Sequence, residues 1–228
     1  MRSIYNLAEE AGCEITSTRT QESVTANVTK VKDWLEAEFS DFFDVEVLPS
    51  STSGLRLNAY FKGTLCGLSM QQLWTSGVCN IGYVYNGTYK IAVQSLDAWI
   101  GNGVIKMFVA ESSHGCMTGL FTTGMNVVST MAVKHKGVLW PIAIDGTTIY
   151  CGTGAGNLVT CGSLKSSQMN DVFLTKFFPP TDDEEFDGVY WNFGAAVGEC
   201  REFAIGTGSE KYIALPVTSG YVQPVLKM

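Results

Sequence analysis

Residues that carry most enzyme chemistry are scarce in this chain. It has two histidines, and only 16% of its 228 residues are charged, against about 25% in an average soluble domain. Its seven cysteines (13, 66, 79, 116, 151, 161 and 200) form no CxxC pair. An odd number without metal-ligand spacing excludes a simple disulfide framework and argues against a zinc site. The expectation is seven reduced thiols, mostly behaving as small buried hydrophobes. No long apolar run is free of polar residues. Residues 112–133 lack formal charge but are rich in Ser, Thr and Gly, so no membrane span is expected. The opening MRSIYNLAEEAGC has no apolar core of the kind a secretory signal needs, and a protein made in the cytoplasm is expected. A sequence pI of about 4.8 leaves no basic stripe for a phosphate backbone, and direct nucleic-acid binding is not expected.

The charges that exist are unevenly placed. Residues 1–46 hold ten acids against four bases, residues 47–181 four acids against eight bases, and residues 182–228 eight acids against three bases. Two readings fit the charge-poor middle. Ser, Thr, Asn and Gly can hydrate a β surface without charge, or part of that surface faces other protein, since interface cores are depleted in charge. Under the second reading, acidic ends and a basic middle suit contacts between neighbouring subunits.

What the chain has in plenty is β pattern. In Val78 to Ser95, VCNIGYVYNGTYKIAVQS, two β-branched and aromatic runs flank Asn86-Gly87. That pair tolerates the positive φ of a type I′ turn, so a hairpin is predicted with Tyr85 opposite Thr88, Val84 opposite Tyr89 and Gly82 opposite Ile91. Val84, Tyr89, Ile91 and Val93 are expected to face a core, leaving Tyr83, Tyr85, Thr88 and Lys90 on an amphipathic face. A second hairpin is expected at Asp145-Gly146, with Pro141 opposite Tyr150 and strand 138–144 at a sheet edge or bulged. Strands are also read at 45–48, 55–61, 104–110, 158–161 and around Phe203–Ile205 and Ile213–Val217. Leu96 to Gly103 reads as a bend or short helical turn.

Ahead of the strands the period is helical. Ser3 to Ala11 reads as a short helix ended by Gly12. Thr20 to Phe43 reads as a longer one, with Val24, Val28, Val31, Leu35, Phe39 and Phe42 in one apolar stripe and capping-box spacing at Thr18 and Gln21. Its β-branched residues lower its intrinsic propensity, so the stripe needs a partner surface. That surface is either the chain's own β-domain or another subunit, and the six residues are the candidate assembly or docking helix. The layout is therefore a helical segment, 1–44, before an antiparallel β-sandwich or barrel-like domain, 45–228.

Chemical motifs are weak. His114 and Cys116 in SSHGC would point the same way on a strand, with no third group to orient them. Gly152-Thr153-Gly154-Ala155-Gly156-Asn157 resembles a phosphate-cradling loop, but the strand-like Leu158 to Cys161 follows where a helix is required. Asp182, Asp183, Glu184, Glu185 and Asp187 read as a solvated acidic loop within FFPPTDDEEFD, lacking the calcium-loop pattern. Tyr83, Tyr85, Trp74, Trp99 and Trp191 could stack on sugars, although core packing is the default for each. No cofactor, no metal and no enzyme activity are expected.

The helical segment, the charge-poor β-domain with glycine-rich turns and the ending GECREFAIGTGSEKYIALPV together resemble virion structural proteins of tailed bacteriophages. The resemblance is one of layout and implies a tail, baseplate, neck or capsid-associated subunit. Such a subunit assembles with itself, as a homo-oligomer, and with other virion proteins, and is located in the virion. The alternative is a receptor- or glycan-binding β-module on a virion or cell surface.

Overall fold

The computed structural model describes residues 2–50, 53–76, 78–95, 99–122, 127–145, 148–152, 158–163, 175–176, 186–193, 201–204, 209–214 and 222–228. In chain order the elements are β1 (Arg2–Asn6), α1 (Leu7–Glu10), α2 (Gln21–Glu38), β2 (Phe43–Ser50), β3 (Gly54–Phe61), β4 (Cys66–Leu73), β5 (Cys79–Tyr85) and β6 (Thr88–Ser95). A 3₁₀ turn (Ile100–Asn102) leads to β7 (Ile105–Ser112), β8 (Gly115–Thr122), β9 (Val127–His135), β10 (Val138–Asp145), β11 (Thr148–Gly152) and β12 (Leu158–Ser163). The last are β13 (Thr175–Lys176), β14 (Val189–Phe193), β15 (Arg201–Ala204), β16 (Lys211–Ala214) and β17 (Val222–Lys227). The protein is mainly β, with every described strand pair antiparallel, and carries a helical segment near its start.

Three sheets form, with strand orders β2-β3-β4-β5-β6, β1-β7-β8-β9-β10-β11-β12 and β13-β14-β17-β16-β15. They stack as three layers with the seven-stranded sheet in the middle. Alternation along β7 and β8 builds both interlayers. Ile105, Met107, Val109 and Leu120 join the core shared with the first sheet and α2, while Phe108, Ala110, Met117 and Phe121 join the core shared with Val189, Ile213 and Leu226 of the third and with Phe186 just before β14. A sheet covered on both faces reads as apolar at odd and even positions alike. The charge-poor middle of the sequence is, to that extent, buried within its own subunit. Where the first two sheets meet through small residues such as Ala132 and Ala143, both buried, Cα atoms of β4 and β5 come within 8 Å of β9. Typical sheet spacing is about 10 Å.

Helix α2 occupies the interlayer where these two sheets diverge. Thr20 caps it reciprocally with Ser23: the Ser23 N–H donates to Thr20 Oγ1 at 3.1 Å and the Thr20 N–H to Ser23 Oγ at 3.0 Å. The capping pair therefore lies two residues beyond the Thr18/Gln21 spacing. Val24, Val28, Val31, Leu35 and Phe39 are buried against β2, β3 and β4, and Phe42 packs partly buried beside them. Burying a side chain of this size contributes about 1.5–3 kcal/mol, enough to override modest propensity.

Three local expectations need correction. Ser3 to Asn6 is strand: β1 pairs with β7, Ile4 opposite Phe108, and helix begins only at Leu7. The local helical pattern loses there to the pairing offered by a sheet edge. The segment 1–44 thus contributes a strand to the central sheet. In the hairpin at Asn86-Gly87 the predicted register holds, with φ of 47° and 72° at the two turn residues. A bulge between Ile81 and Gly82 leaves Ala92 unpaired and sets Val93 opposite Ile81. The core faces are also reversed, because Ile81, Tyr83 and Tyr85 line the interlayer. At the second hairpin Asp145 pairs with Thr148 and Ile142 with Cys151, a register two residues from the expected one, while residues 146–147 lie outside the described residues. Pro141 pairs with Ala132 just beyond the end of the β11 ladder. Strand β10 is therefore interior, and its proline is tolerated where the neighbouring strand stops.

Candidate functional site

Strand alternation brings several turns to one end of the stack. The α2–β2 connection, the β3–β4 turn at Lys62-Gly63, the β7–β8 turn at Ser113-His114 and the β9–β10 turn at Lys136-Gly137 meet there. Between them is a cleft of about 190 Å³ lined by Phe42, Phe61, Cys116, Ala132 and Leu139 and rimmed by Asp41, Lys62, Glu111 and Lys134. Leu65, in the β3–β4 turn that supplies Lys62, and Val138, the first residue of β10, are 55% and 51% exposed. The cleft is smaller than the roughly 300–1,000 Å³ of drug-sized ligand sites. It suits one apolar side chain with charges at its rim.

No sequence pattern announces this juxtaposition, because its residues come from five separated segments and share no motif. Of the candidates singled out in sequence, only Phe42 and Cys116 are among the described residues that line the cleft. The stripe Val24, Val28, Val31, Leu35, Phe39 and Phe42 is covered by the chain's own sheets. His114 and Cys116 belong to different sides of the central sheet. The His114 ring lies against Gly188, where a Cβ would meet it at 2.2 Å, and its Nδ1 is 3.3 Å from Asp187 Oδ2. Cys116 faces the cleft, and burial pushes its thiol up to about 12, with the Glu111 carboxylate adding to the rise. A thiol held protonated is a poor nucleophile. The Gly152–Asn157 motif connects paired antiparallel strands, Gly152 opposite Leu158; residues 153–157 are outside the described residues, as are the acids 182–185. Tyr83, Tyr85 and Trp99 are buried, and Trp74 and Trp191 pack partly buried on the cores. None of the five is an exposed stacking platform.

A second polar feature crosses the outer face of the first sheet. Tyr60 donates to Glu46 Oε1 at 2.7 Å, Asn58 Nδ2 to the same oxygen at 2.8 Å, and Ser69 Oγ to Asn58 Oδ1 at 2.5 Å. Asn80 Nδ2 donates to Gln71 Oε1 at 2.6 Å. The Arg56 guanidinium lies 4.6 Å from the Tyr89 ring centroid, reaching from β3 to β6 over the strands between. Burial, then the hydrogen bond to Glu46, pushes the Tyr60 hydroxyl up to about 12. These contacts order the sheet surface, while among the described residues Arg56 Nε and Asn80 Oδ1 are buried without a hydrogen-bond partner. Among the described residues no group of three or more His, Cys, Asp or Glu side chains is placed to hold a metal, and no helix is long and apolar enough to cross a membrane.

Comparison with protein-family models, with curated proteins and with solved structures found no match.

Proposed function

We propose that this chain is a non-enzymatic structural subunit of a multi-protein assembly, a bacteriophage virion component of the tail, baseplate, neck or capsid-associated kind. It holds itself and neighbouring virion proteins in register. The observation that carries the reading is the turn-bearing end, where Leu65 and Val138 are exposed and an apolar cleft opens with a charged rim. Interfaces combine an apolar centre with a polar rim in this way. Tyr83, Tyr85, Trp74, Trp99 and Trp191, the aromatics singled out for the glycan-binding alternative, are packed on the cores.

Leu65→Asp combined with Val138→Asp tests it. Both side chains are exposed, so the isolated protein is expected to melt at its usual temperature. A carboxylate pressed into an apolar contact costs several kcal/mol, so incorporation into particles is expected to fall at least tenfold. Incorporation at the wild-type level would contradict the use of this end, and a chain absent from particles would contradict the assembly role itself.

A further inference from the structure

We propose that the outer face of the first sheet binds a small hydroxy acid. The Arg56 guanidinium takes its carboxylate, and the Asn80 side-chain carbonyl accepts a hydrogen bond from a neighbouring hydroxyl. The inference goes beyond the assembly reading and does not depend on it.

The strand register sets Arg56 of β3, Gln71 of β4 and Asn80 of β5 side by side in one cross-strand row. Most polar groups around this row are satisfied. Asn80 Nδ2 donates to Gln71 Oε1, Gln71 Nε2 to Ser50 Oγ, and Tyr60 and Asn58 both donate to Glu46 Oε1. Two atoms are left over: Arg56 Nε and Asn80 Oδ1 are buried without a hydrogen-bond partner among the described residues. One is a cationic donor and the other a neutral acceptor. Buried polar atoms are ordinarily paired, so a partner from outside the chain gains both bonds without displacing an existing one.

Asn80 is 5% exposed, whereas Arg56 and Tyr89 are half-buried. The guanidinium carbon lies 4.6 Å from the Tyr89 ring centroid, and the Tyr89 hydroxyl donates to the Asn80 main-chain carbonyl at 3.3 Å. The fork of Arg56 therefore stands over β4 and β5, beside the Asn80 amide. Among the described residues it is held by stacking alone, with no hydrogen bond or ion pair, so it can turn to meet a ligand arriving from solvent. Its bidentate geometry matches a carboxylate. Glu46 and the exposed Asp44 alternate onto the same face, and their charges favour a ligand with one negative charge over a phosphate dianion. At Asn80 an ammonium donor would be repelled by the guanidinium, which leaves a hydroxyl. A carboxylate and a hydroxyl on one small molecule define a hydroxy acid, the class that includes sugar acids.

Titration calorimetry of the full chain with D-glucuronate tests this. Saturable binding is expected, at least tenfold tighter than for acetate, D-glucose or inorganic phosphate. Acetate lacks the hydroxyl, D-glucose lacks the carboxylate, and phosphate carries the second negative charge. Arg56→Lys keeps the charge and loses the fork, and Asn80→Asp sets a second carboxylate against the ligand; each is expected to weaken binding at least tenfold. Lys62→Gln, at the turn-bearing end, is expected to bind as the unaltered chain does. In the unaltered chain the Arg56 Nε–H resonance is expected to shift as glucuronate is added, a readout that does not depend on any variant folding. No saturable binding, equal binding of acetate, glucose or phosphate, undiminished binding by folded Arg56→Lys, or an unmoved Nε–H resonance would overturn the proposal. Each of these leaves the assembly reading standing, since incorporation into particles is measured separately.

Discussion

Thr118 and Thr130 sit opposite each other on β8 and β9, both buried, and differ in one hydrogen bond. Thr118 Oγ1 donates to the Phe108 carbonyl at 2.7 Å, whereas Thr130 Oγ1 has no hydrogen-bond partner among the described residues. Removing a satisfied hydroxyl loses about 1 kcal/mol and removing an orphaned one gains about as much. Thr130→Val is therefore expected to raise the urea midpoint and Thr118→Val to lower it; equal effects would contradict the assignment. Burial pushes the Cys66 and Cys79 thiols up to about 12, and Tyr60 reaches a similar value. Unfolded, these groups ionise near their ordinary values of about 8.5 and 10. Between those values and about 12 the folded state keeps protons that the unfolded chain releases, so the stability they contribute is complete below about pH 8.5 and declines as pH rises toward 12. Urea midpoints measured from pH 8 to 11 are expected to fall, and less steeply in Cys66→Ala with Cys79→Ala. A flat wild-type profile would contradict this. The thiol environments themselves were legible only as a compositional expectation: cysteines without spacing read as small hydrophobes, and the five described ones are free. The partners of Asn27 and Asn58 were not legible, since each joins segments more than ten residues apart.

At the scale of elements, turn chemistry and period decided what could be read. Asn86-Gly87 fixed a register to the residue because both positions need positive φ. Asp145-Gly146 did not, because an Asp-Gly pair permits neighbouring loop placements and the flanking strands share the same alternation. The six-residue stripe of α2 was plain at helical spacing, but spacing is blind to what covers a face. The covering surface comes from β2, β3 and β4, which follow the helix in sequence. Strand β1 was missed because its pairing partner, β7, lies about a hundred residues away. Leu35→Ala and Phe39→Ala are each expected to destabilise the isolated chain by about 2–5 kcal/mol. Glu36→Ala removes only the exposed i,i+4 contact with Lys32, worth less than about 1 kcal/mol. Thermal melting of the three variants checks this, and unchanged melting of Leu35→Ala would contradict the packing of the stripe within the subunit.

For the whole molecule, three stacked layers account for a chain that is poor in charge through its middle yet β throughout. Periodicity pointed to a sandwich, but a third layer could not be counted from sequence. Burial of a sheet on one face or on both changes which residues are apolar, not the period. The charge-poor stretch consequently has a source inside the subunit. The assembly role is tested most directly by the copy number of this chain in purified native particles, measured by mass. A fixed, repeated number of copies per particle is predicted. A chain found only free, as a monomer outside any particle, would contradict it.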